Sequence, residues 1–328
     1  MSAPLASLAR TLTILAAALM LAPASLLAQP SAAPAAEKSA PLRIEQDSNA
    51  PGSRSGEAKR GLLYEIKSAT GTVYLFGTLH VGRPEFYPLN ARTNEAFAAS
   101  SVLYLEVDLS EAGLAQNAAA LSAYAEGESL ERVLSPSVMA KVDAALERYQ
   151  VPREAAIRMK PWMLGQTLLL MEATRRGYDP ALASEIHLLG LAAVQHKEVR
   201  GLETLAQQFA IFEAMPETAQ QRFLEDIVDE ISGPRMARNL DALVDAWSHG
   251  DGAALEAELE RERAEATPYE RDVLPRLIDD RNRSMAEAID ALVRQRATVF
   301  VAVGALHLVG PDGIVALLRA KGLAARAL

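Results

Sequence analysis

The chain has 328 residues, half of them apolar, with a formal net charge of −9 and no cysteine. The acidic balance and the lack of a basic stripe argue against a nucleic-acid partner. Without cysteine the chain forms no disulfides, no thiolate metal site and no thiol nucleophile. Its stability must therefore come mainly from core packing.

The first 28 residues are typical of a secretory signal peptide. Arg10 precedes an apolar run, and small residues follow as far as Ala24 and Ala28, where cleavage is expected. An uncleaved membrane anchor is the alternative. Residues 29–58 are rich in Ala, Pro, Ser and charge, which predicts a disordered linker. We therefore predict a periplasmic or secreted protein whose mature fold spans residues 59–328 and has no stable membrane span.

Short β-rich runs and helical stretches follow the linker. The runs Leu62–Lys67 and Thr72–Gly77 predict a hairpin, because a Ser-Ala-Thr-Gly turn separates them. A short helix is predicted at Asn90–Ser100 and a buried strand at Val102–Val107. The pattern then becomes helical over about residues 110–196, which predicts a large helical insertion.

The second half of the chain alternates in the same way. The predicted elements are a strand at Glu198–Leu202, a helix at Thr204–Ala214, a long amphipathic helix at Tyr269–Arg296, an apolar strand at Thr298–Val303 and a last helix at Pro311–Ala320. This order predicts an α/β fold, in which a small mixed β-sheet is split by the helical insertion.

One short motif occurs twice, near the two ends of the predicted fold. The run T-V-Y-L-F-G-T-L-H-V-G contains Gly77 and His80, and T-V-F-V-A-V-G-A-L-H-L-V-G contains Gly304 and His307. Each apolar strand breaks at a glycine and delivers a histidine three residues later. Because ligands of α/β sheets bind at the carboxyl ends of the strands, two Gly-x-x-His strand ends can direct two imidazoles at one point.

Two glutamates are candidates for the same crevice. Glu106 lies late in the apolar run L-Y-L-E-V-D, where a charge is costly unless it is paired or bound to a metal. Its alternative is a solvent-facing edge position. Glu203 ends the strand-like run V-R-G-L-E-T, although it is equally placed to begin the next helix as a first-turn acid.

Arg281 and Asn282, in D-D-R-N-R-S-M, are the remaining candidates. Together they could bind a substrate carboxylate or stabilise an oxyanion, and a surface charge cluster is the alternative.

Two histidines and a glutamate form a known ligand set for a catalytic metal ion with a bound water. His80, His307 and one of the two glutamates, Glu106 or Glu203, are the candidate ligands, and the remaining carboxylate could act as general base. A metal-free centre, in which His or Glu activates water directly, fits the same residues. The sequence lacks the His-Glu-x-x-His, Gly-x-Ser-x-Gly, phosphate-loop and Gly-x-Gly-x-x-Gly motifs, so the familiar metalloprotease, serine hydrolase and nucleotide-binding schemes are unsupported.

From about Gly61 to Leu323 the chain resembles the TraB/GumN family, which includes the animal Tiki proteins. The resemblance is carried, in order, by L-Y-E-I-K, the first Gly-x-x-His run, L-Y-L-E-V-D, G-L-E-T-L-A-Q-Q, R-N-R-S-M and the second Gly-x-x-His run. It implies a fold like that of erythromycin esterases and the haem-binding ChaN proteins.

The resemblance also implies an activity, because Tiki proteins are metal-dependent proteases. Its site residues fall on His80, His307 and Glu106, with the Arg-Asn pair on Arg281 and Asn282 and the Gly-Leu-Glu acid on Glu203. We therefore expect a hydrolase of peptide bonds that uses a divalent ion such as Mn, Co or Zn. The alternatives are a metal-free, esterase-like hydrolase and a non-catalytic protein that binds a peptide, a metal or haem. The predicted partner is a peptide or small-molecule substrate.

Overall fold

A computed structural model describes residues 60–328 of the chain. The predicted signal peptide and linker, residues 1–28 and 29–58, lie outside the described residues. The described residues form a six-stranded mixed sheet with helices packed around it. The predicted mixed α/β architecture is thereby confirmed.

The strands follow the chain but are ordered differently in space. They are β1 (Leu63–Lys67), β2 (Thr72–Thr78), β3 (Val102–Leu105), β4 (Glu198–Gly201), β5 (Thr298–Gly304) and β6 (Ala324–Ala327). Their order across the sheet is β4-β3-β5-β2-β1-β6. Strands β4, β3, β5 and β2 run parallel, whereas β1 is antiparallel to both of its neighbours.

The helices occupy every long connection between these strands. They are α1 (Ala91–Ala99), α2 (Leu114–Ser122), α3 (Leu130–Val133), α4 (Pro136–Tyr149), α5 (Arg153–Ala156), α6 (Pro161–Arg175), α7 (Ser184–Val194), α8 (Leu205–Glu213), α9 (Glu217–Glu230), α10 (Pro234–Ser248), α11 (Gly252–Glu265), α12 (Pro268–Pro275), α13 (Arg281–Val293) and α14 (Ile314–Ala320). A π-helical turn, Arg276–Asp280, joins α12 to α13.

The centre of the sheet is buried on both faces. All residues from Val299 to Val303 in β5 are buried, so the side chains on either side of this strand are covered. Phe300 packs edge-on against Phe97 of α1, with ring centroids 5.3 Å apart. Because the strand is packed on both faces, the position of its last residue, Gly304, is fixed relative to the neighbouring strands.

Helix α6 forms the core of a helical layer. Trp162, at its start, is fully buried and stacks on Phe212 of α8, with ring centroids 4.9 Å apart. The same helix packs against α4 and α9. Because α8 follows β4 directly, this packing also fixes the segment that carries Glu203 and Gln208.

Two elements differ from the sequence-based prediction. The predicted helix Tyr269–Arg296 contains the π-helical turn, which begins directly after Pro275. Proline lacks an N–H and collides with the carbonyl one turn earlier, so the regular hydrogen-bond ladder is interrupted here. Strand β6, Ala324–Ala327, was not predicted, because Ala-Ala-Arg-Ala has little strand propensity; it forms by pairing with β1.

Within residues 60–328, no helix is both long enough and apolar enough to cross a membrane.

Candidate functional site

The carboxyl ends of the parallel strands lie at one edge of the sheet. Thr78 pairs with Gly304, and Leu105 pairs with both Ala302 and Gly201. The residues that follow these ends are His80 after β2, Glu106 after β3, Glu203 after β4 and His307 after β5. The topology therefore brings the two Gly-x-x-His strand ends and both predicted glutamates to one place.

Arg281 occupies the middle of this group. The residue is only 5% exposed, and its guanidinium donates hydrogen bonds to Glu106 and to Glu203. Its Nε lies 3.0 Å and 3.2 Å from the two carboxylate oxygens of Glu203. A further nitrogen lies 3.1 Å from Nε2 of His307. One cation thus contacts both carboxylates and one imidazole.

The contacts of His307 define which of its nitrogens carries the proton. Arg281 is a donor only, so Nε2 of His307 accepts its N–H. Nδ1 then carries the proton and donates to Oδ1 of Asn282 at 2.6 Å. The amide of Asn282 in turn donates to the carbonyl oxygen of Asp312 at 2.9 Å. Asn282 therefore holds the orientation of His307 and does not itself contact the carboxylates of the cluster.

His80 is held from its other side. Its Nδ1 lies 2.7 Å from Oε1 of Glu185, in the first turn of α7. Its Nε2 would lie 3.8 Å from a Cβ atom placed on Gly304. This added Cβ atom on Gly304 would also lie 3.3 Å from Oε1 of Glu106 and 3.4 Å from Cδ2 of His307. The missing side chain of Gly304 thus leaves the space in which both imidazoles and Glu106 meet.

Backbone and hydroxyl groups complete this space. The N–H of Gly304 donates to Oε1 of Glu106 at 2.7 Å. Thr78 is the register partner of Gly304 on a parallel strand, so its side chain points to the same face of the sheet. Its buried hydroxyl has no hydrogen-bond partner within residues 60–328. A ligand in this space would find an unused hydroxyl beside the histidines.

The two carboxylates share one guanidinium and have pKa values shifted in opposite directions. Burial favours the neutral form of Glu106, but Arg281 and the N–H of Gly304 outweigh it and lower its pKa to about 2. Burial dominates at Glu203 and raises its pKa, against the opposing effect of Arg281. Glu106 therefore stays charged, while Glu203 is the carboxyl group more easily protonated.

The two imidazoles also differ. Burial and the neighbouring Arg281 both lower the pKa of His307, to about 3, so this residue is neutral. Burial lowers the pKa of His80, but the charges of Glu185 and Glu106 more than offset it, and the pKa is raised. His80 is therefore the imidazole that can take up a proton near neutral pH.

Arg281 shares two of the three candidate metal ligands. It donates to Glu106 and to Nε2 of His307, so an ion bound by His80, His307 and Glu106 would compete with this guanidinium. The part of the chain that the structure describes contains no group of three or more His, Asp or Glu side chains placed to hold a metal. Imidazole and carboxylate are nevertheless the right chemical types for a divalent ion.

Two residues at the site escaped the sequence analysis. Glu185 resembles an ordinary first-turn acid of a helix, and only its burial against His80 distinguishes it. Gln208 lies within an amphipathic helix, yet its amide is 3.3 Å from both Glu106 and Glu203. Glu185 carries no local signal, because long-range packing brings it to the site. Gln208 closes the run G-L-E-T-L-A-Q-Q that supports the family resemblance, which is the signal that could have identified it. The predicted roles of the other site residues stay predictions.

No curated protein matches the chain, and no solved structure matches it. A family model described as the TraB/PrgY/gumN family matches residues 62–327, which include every strand end and side chain of the site. The match covers most of the chain, and it agrees with the resemblance inferred from the ordered motifs. The chain therefore belongs to the TraB/PrgY/gumN family.

Proposed function

We propose that the chain is a hydrolase that acts at the cluster of His80, Glu106, Glu203, Arg281 and His307. One observation carries the proposal: two imidazoles, two carboxylates and a guanidinium meet in one largely buried cluster at the carboxyl ends of four parallel strands. Such a cluster contains groups that can accept and donate protons, and it also contains a fixed positive charge. Attack of water on a carbonyl carbon needs both.

The geometry suggests a role for each group. Nε2 of His80 faces the space beside Gly304 and would take the proton of a water molecule as that water attacks. Arg281 would stabilise the negative charge that develops on the carbonyl oxygen. Glu106 would hold Arg281 in place, and Glu203, with its raised pKa, would return a proton to the leaving group. His307 would orient Arg281 through its neutral Nε2.

Peptide bonds are the proposed substrate class, because the family resemblance points to the Tiki proteases. The resemblance to erythromycin esterases makes an ester the second substrate class to test. The erythromycin esterase/ChaN-like character of the fold belongs to the same proposal. The proposed location is periplasmic or secreted, on the strength of the signal-like residues 1–28.

A metal-dependent form of this hydrolase is the second candidate. The observation in its favour is that both histidines have Nδ1 held by another side chain, Glu185 or Asn282, as metal-ligating histidines have. The ion, Mn, Co or Zn, would be held by His80, His307 and Glu106. It would have to compete with Arg281 for two of these three ligands.

Hydrolysis assays on residues 29–328 test the proposal. Peptide and ester substrates are supplied with and without a chelator, and bound metal is measured in the purified protein. We expect turnover that falls by about 10²-fold or more in His80→Ala, since a general base typically contributes 10²–10⁴-fold. His249→Ala is the matched control, because His249 is exposed and its ring pairs with Asp245 of its own helix, away from the site; it should leave turnover unchanged.

The outcomes separate the candidates. Turnover that survives exhaustive chelation supports the metal-free form. Turnover that is lost on chelation and restored by Mn, Co or Zn supports the metal-dependent form. A folded protein that binds a metal, peptide or haem but hydrolyses no substrate would overturn both and identify a binding protein.

A further inference from the structure

Residues 179–185 are hydrogen-bonded to the loop that carries His80. Gly82 and Asp179 exchange two backbone hydrogen bonds, of 2.9 Å and 2.8 Å. On the other side of His80, the N–H of Leu79 donates to Oγ of Ser184 at 2.8 Å, and the N–H of Ser184 donates to the carbonyl oxygen of Leu79 at 3.0 Å. His80 is therefore fixed by paired hydrogen bonds before and after it in the chain.

The two segments also pack closely against each other. A Cβ atom on Gly82 would lie 1.9 Å from the carbonyl oxygen of Leu182, so only glycine is tolerated there. The hydroxyl of Tyr87 donates to the same carbonyl at 2.6 Å. The start of α7 is thus attached to the end of β2 and to the loop beyond it.

This attachment places Glu185 against the imidazole. Ser184 binds the backbone of Leu79. The next residues along the two segments are Glu185 and His80, and Oε1 of Glu185 lies 2.7 Å from Nδ1 of His80. Glu185 is 4% exposed, and neither its carboxylate oxygens nor Nδ1 of His80 has an aligned hydrogen bond within residues 60–328, so the two groups are each other's nearest partner. A buried carboxylate is costly unless a charge or a proton donor compensates it. The Nδ1 position of His80 is the donor within reach.

A purely structural role for Glu185 is less consistent with its surroundings. Acids in the first turn of a helix interact favourably with the helix dipole, whether they are exposed like Glu217 of α9 or buried like Glu270 of α12. Buried Glu270 accepts hydrogen bonds from the N–H and the hydroxyl of Thr267, whereas buried Glu185 has no such capping contact among the described residues and faces a histidine. The dipole stabilises its charge, and the attachment of α7 directs that charge to one ring nitrogen.

We propose that Glu185 is a positioning residue that holds the proton of His80 on Nδ1. The consequence is that Nε2, the nitrogen that faces the space beside Gly304, is the one available for proton transfer. The inference rests on the proposed function in one respect only, namely that His80 is the base of the reaction. A carboxylate behind a histidine orients the ring and selects its tautomer in the same way in serine hydrolases.

The tautomer is measured directly by ¹⁵N NMR of protein labelled at histidine. The chain has five histidines, so the His80 signals are assigned by their loss in His80→Ala. The spectra are recorded at a pH high enough for the imidazole of His80 to be neutral, since its pKa is raised and the charged ring carries a proton on both nitrogens. We expect Nδ1 to be the protonated nitrogen of the neutral ring in the wild-type protein. In Glu185→Gln the amide can donate to Nδ1, so the Nε2–H tautomer should become populated. Unprotonated Nδ1 in the wild type, or unchanged His80 signals in Glu185→Gln, would overturn the proposal.

The kinetic arm separates positioning from stability. Glu185→Gln should lower kcat by about 10²-fold or more while KM changes little, since losing the orienting carboxylate can cost about 10⁴-fold elsewhere. Glu185→Asp keeps the carboxylate and should recover part of the loss. Glu172→Gln is the matched control, because Glu172 is fully buried but binds Tyr149, Arg175 and Arg176 in the helical layer; it should lower the melting temperature and leave kcat and the His80 signals unchanged.

The two arms fail independently. If the wild-type protein hydrolyses no substrate, the proposed function fails, and the NMR result alone decides the role of Glu185. If Glu185→Gln keeps full kcat in a folded protein that does turn over substrate, the positioning role is overturned while the proposed function stands.

Discussion

Arg281 balances the charges of the candidate site. It is buried between Glu106 and Glu203, two carboxylates that would otherwise repel each other away from water. Removing one partner of a buried ion pair costs more than an exposed pair contributes, because the remaining charge stays desolvated. Here one substitution would leave two such charges behind.

Replacing Arg281 with Met tests this balance. We expect the free energy of unfolding at pH 7 to fall by about 3–5 kcal/mol, the usual cost of breaking a buried ion pair. Without the guanidinium, burial raises the pKa values of Glu106 and Glu203 above those of the unfolded chain, and stability is then lost as pH rises through the raised values. The variant should therefore be more stable at pH 5 than at pH 7 in urea denaturation.

The control for this variant is Arg294→Met. Arg294 pairs with Asp290 on the surface of α13, and its side chain is 65% exposed, so its loss should cost less than about 1 kcal/mol. A small destabilisation of Arg281→Met that does not change with pH would contradict the buried-charge account.

His307 gives the wild-type protein a different dependence on pH. Its pKa of about 3 in the fold lies below the unfolded value. The full free energy of unfolding is therefore present above about pH 6.5 and is lost as pH falls, because the unfolded chain then binds a proton that the folded His307 does not. Relative to His307→Gln, the wild-type protein should lose roughly 1.4 kcal/mol of unfolding free energy per pH unit between about pH 6 and pH 4. His80, whose pKa is raised, acts in the opposite direction but is present in both proteins. Parallel stability curves would show that His307 is not held neutral.

At the scale of one strand, the end of β5 depends on a glycine. A methyl group on Gly304 would approach Oε1 of Glu106 to 3.3 Å and Cδ2 of His307 to 3.4 Å. We expect Gly304→Ala to shift both side chains by a few tenths of an ångström and to lower kcat by 10-fold or more. Stability should change by less than about 1 kcal/mol, since alanine is no worse than glycine in a strand. Kinetics and urea denaturation of the same preparation measure both effects.

Gly190→Ala is the matched control for that substitution. Gly190 lies in α7, and a Cβ atom there meets nothing within 4 Å. Because glycine is unfavourable inside a helix, this variant should gain about 0.5–1 kcal/mol of stability with kcat unchanged. If both glycine variants had the same activity, the space beside Gly304 would not be the reaction centre.

The elements that the sequence predicts well are those with a local pattern. The hairpin and the apolar strand of β5 are recognisable because β-branched runs end at glycines, and the histidines after Gly77 and Gly304 mark the strand ends. The π-helical turn is different, because an amphipathic pattern continues through Pro275 and gives no sign of how the chain accommodates it. That turn comes directly before Arg281.

The side chains that support the site were harder to predict for a related reason. Glu185 and Gln208 acquire their roles from contacts with residues about 100 positions away, namely His80 and Glu106. A sequence pattern records which face of a helix is apolar, but not which strand end that helix meets. Strand β6 is a similar case, since its pairing with β1 and not its composition makes it a strand.

At the scale of the whole molecule, the last strand protects the sheet edge formed by the first. β6 pairs with β1, Leu328 donates to the carbonyl oxygen of Leu63, and Ala325 is buried at the junction. Deleting residues 324–328 should lower the free energy of unfolding by roughly 2–4 kcal/mol, at about 1 kcal/mol for each net hydrogen bond lost. It should also promote self-association, because the edge of β1 becomes free to pair with another chain.

Urea denaturation and size-exclusion chromatography measure these two effects. Arg326→Ala is the control, because it removes the ion pair with Glu65 but keeps the strand; its cost should stay below about 1 kcal/mol. A deletion variant as stable and as monomeric as this control would show that β6 contributes little.

The order of the strands across the sheet also has a consequence in time. β5 lies between β2 and β3, so the centre of the sheet cannot form until the ribosome has made the strand that begins at Thr298. Until then, His80 and Glu106 belong to strands that have no common neighbour, and the second imidazole does not yet exist in the chain. A chain of this topology therefore cannot bring His80, Glu106 and His307 together until β5 has been made and has paired with both strands.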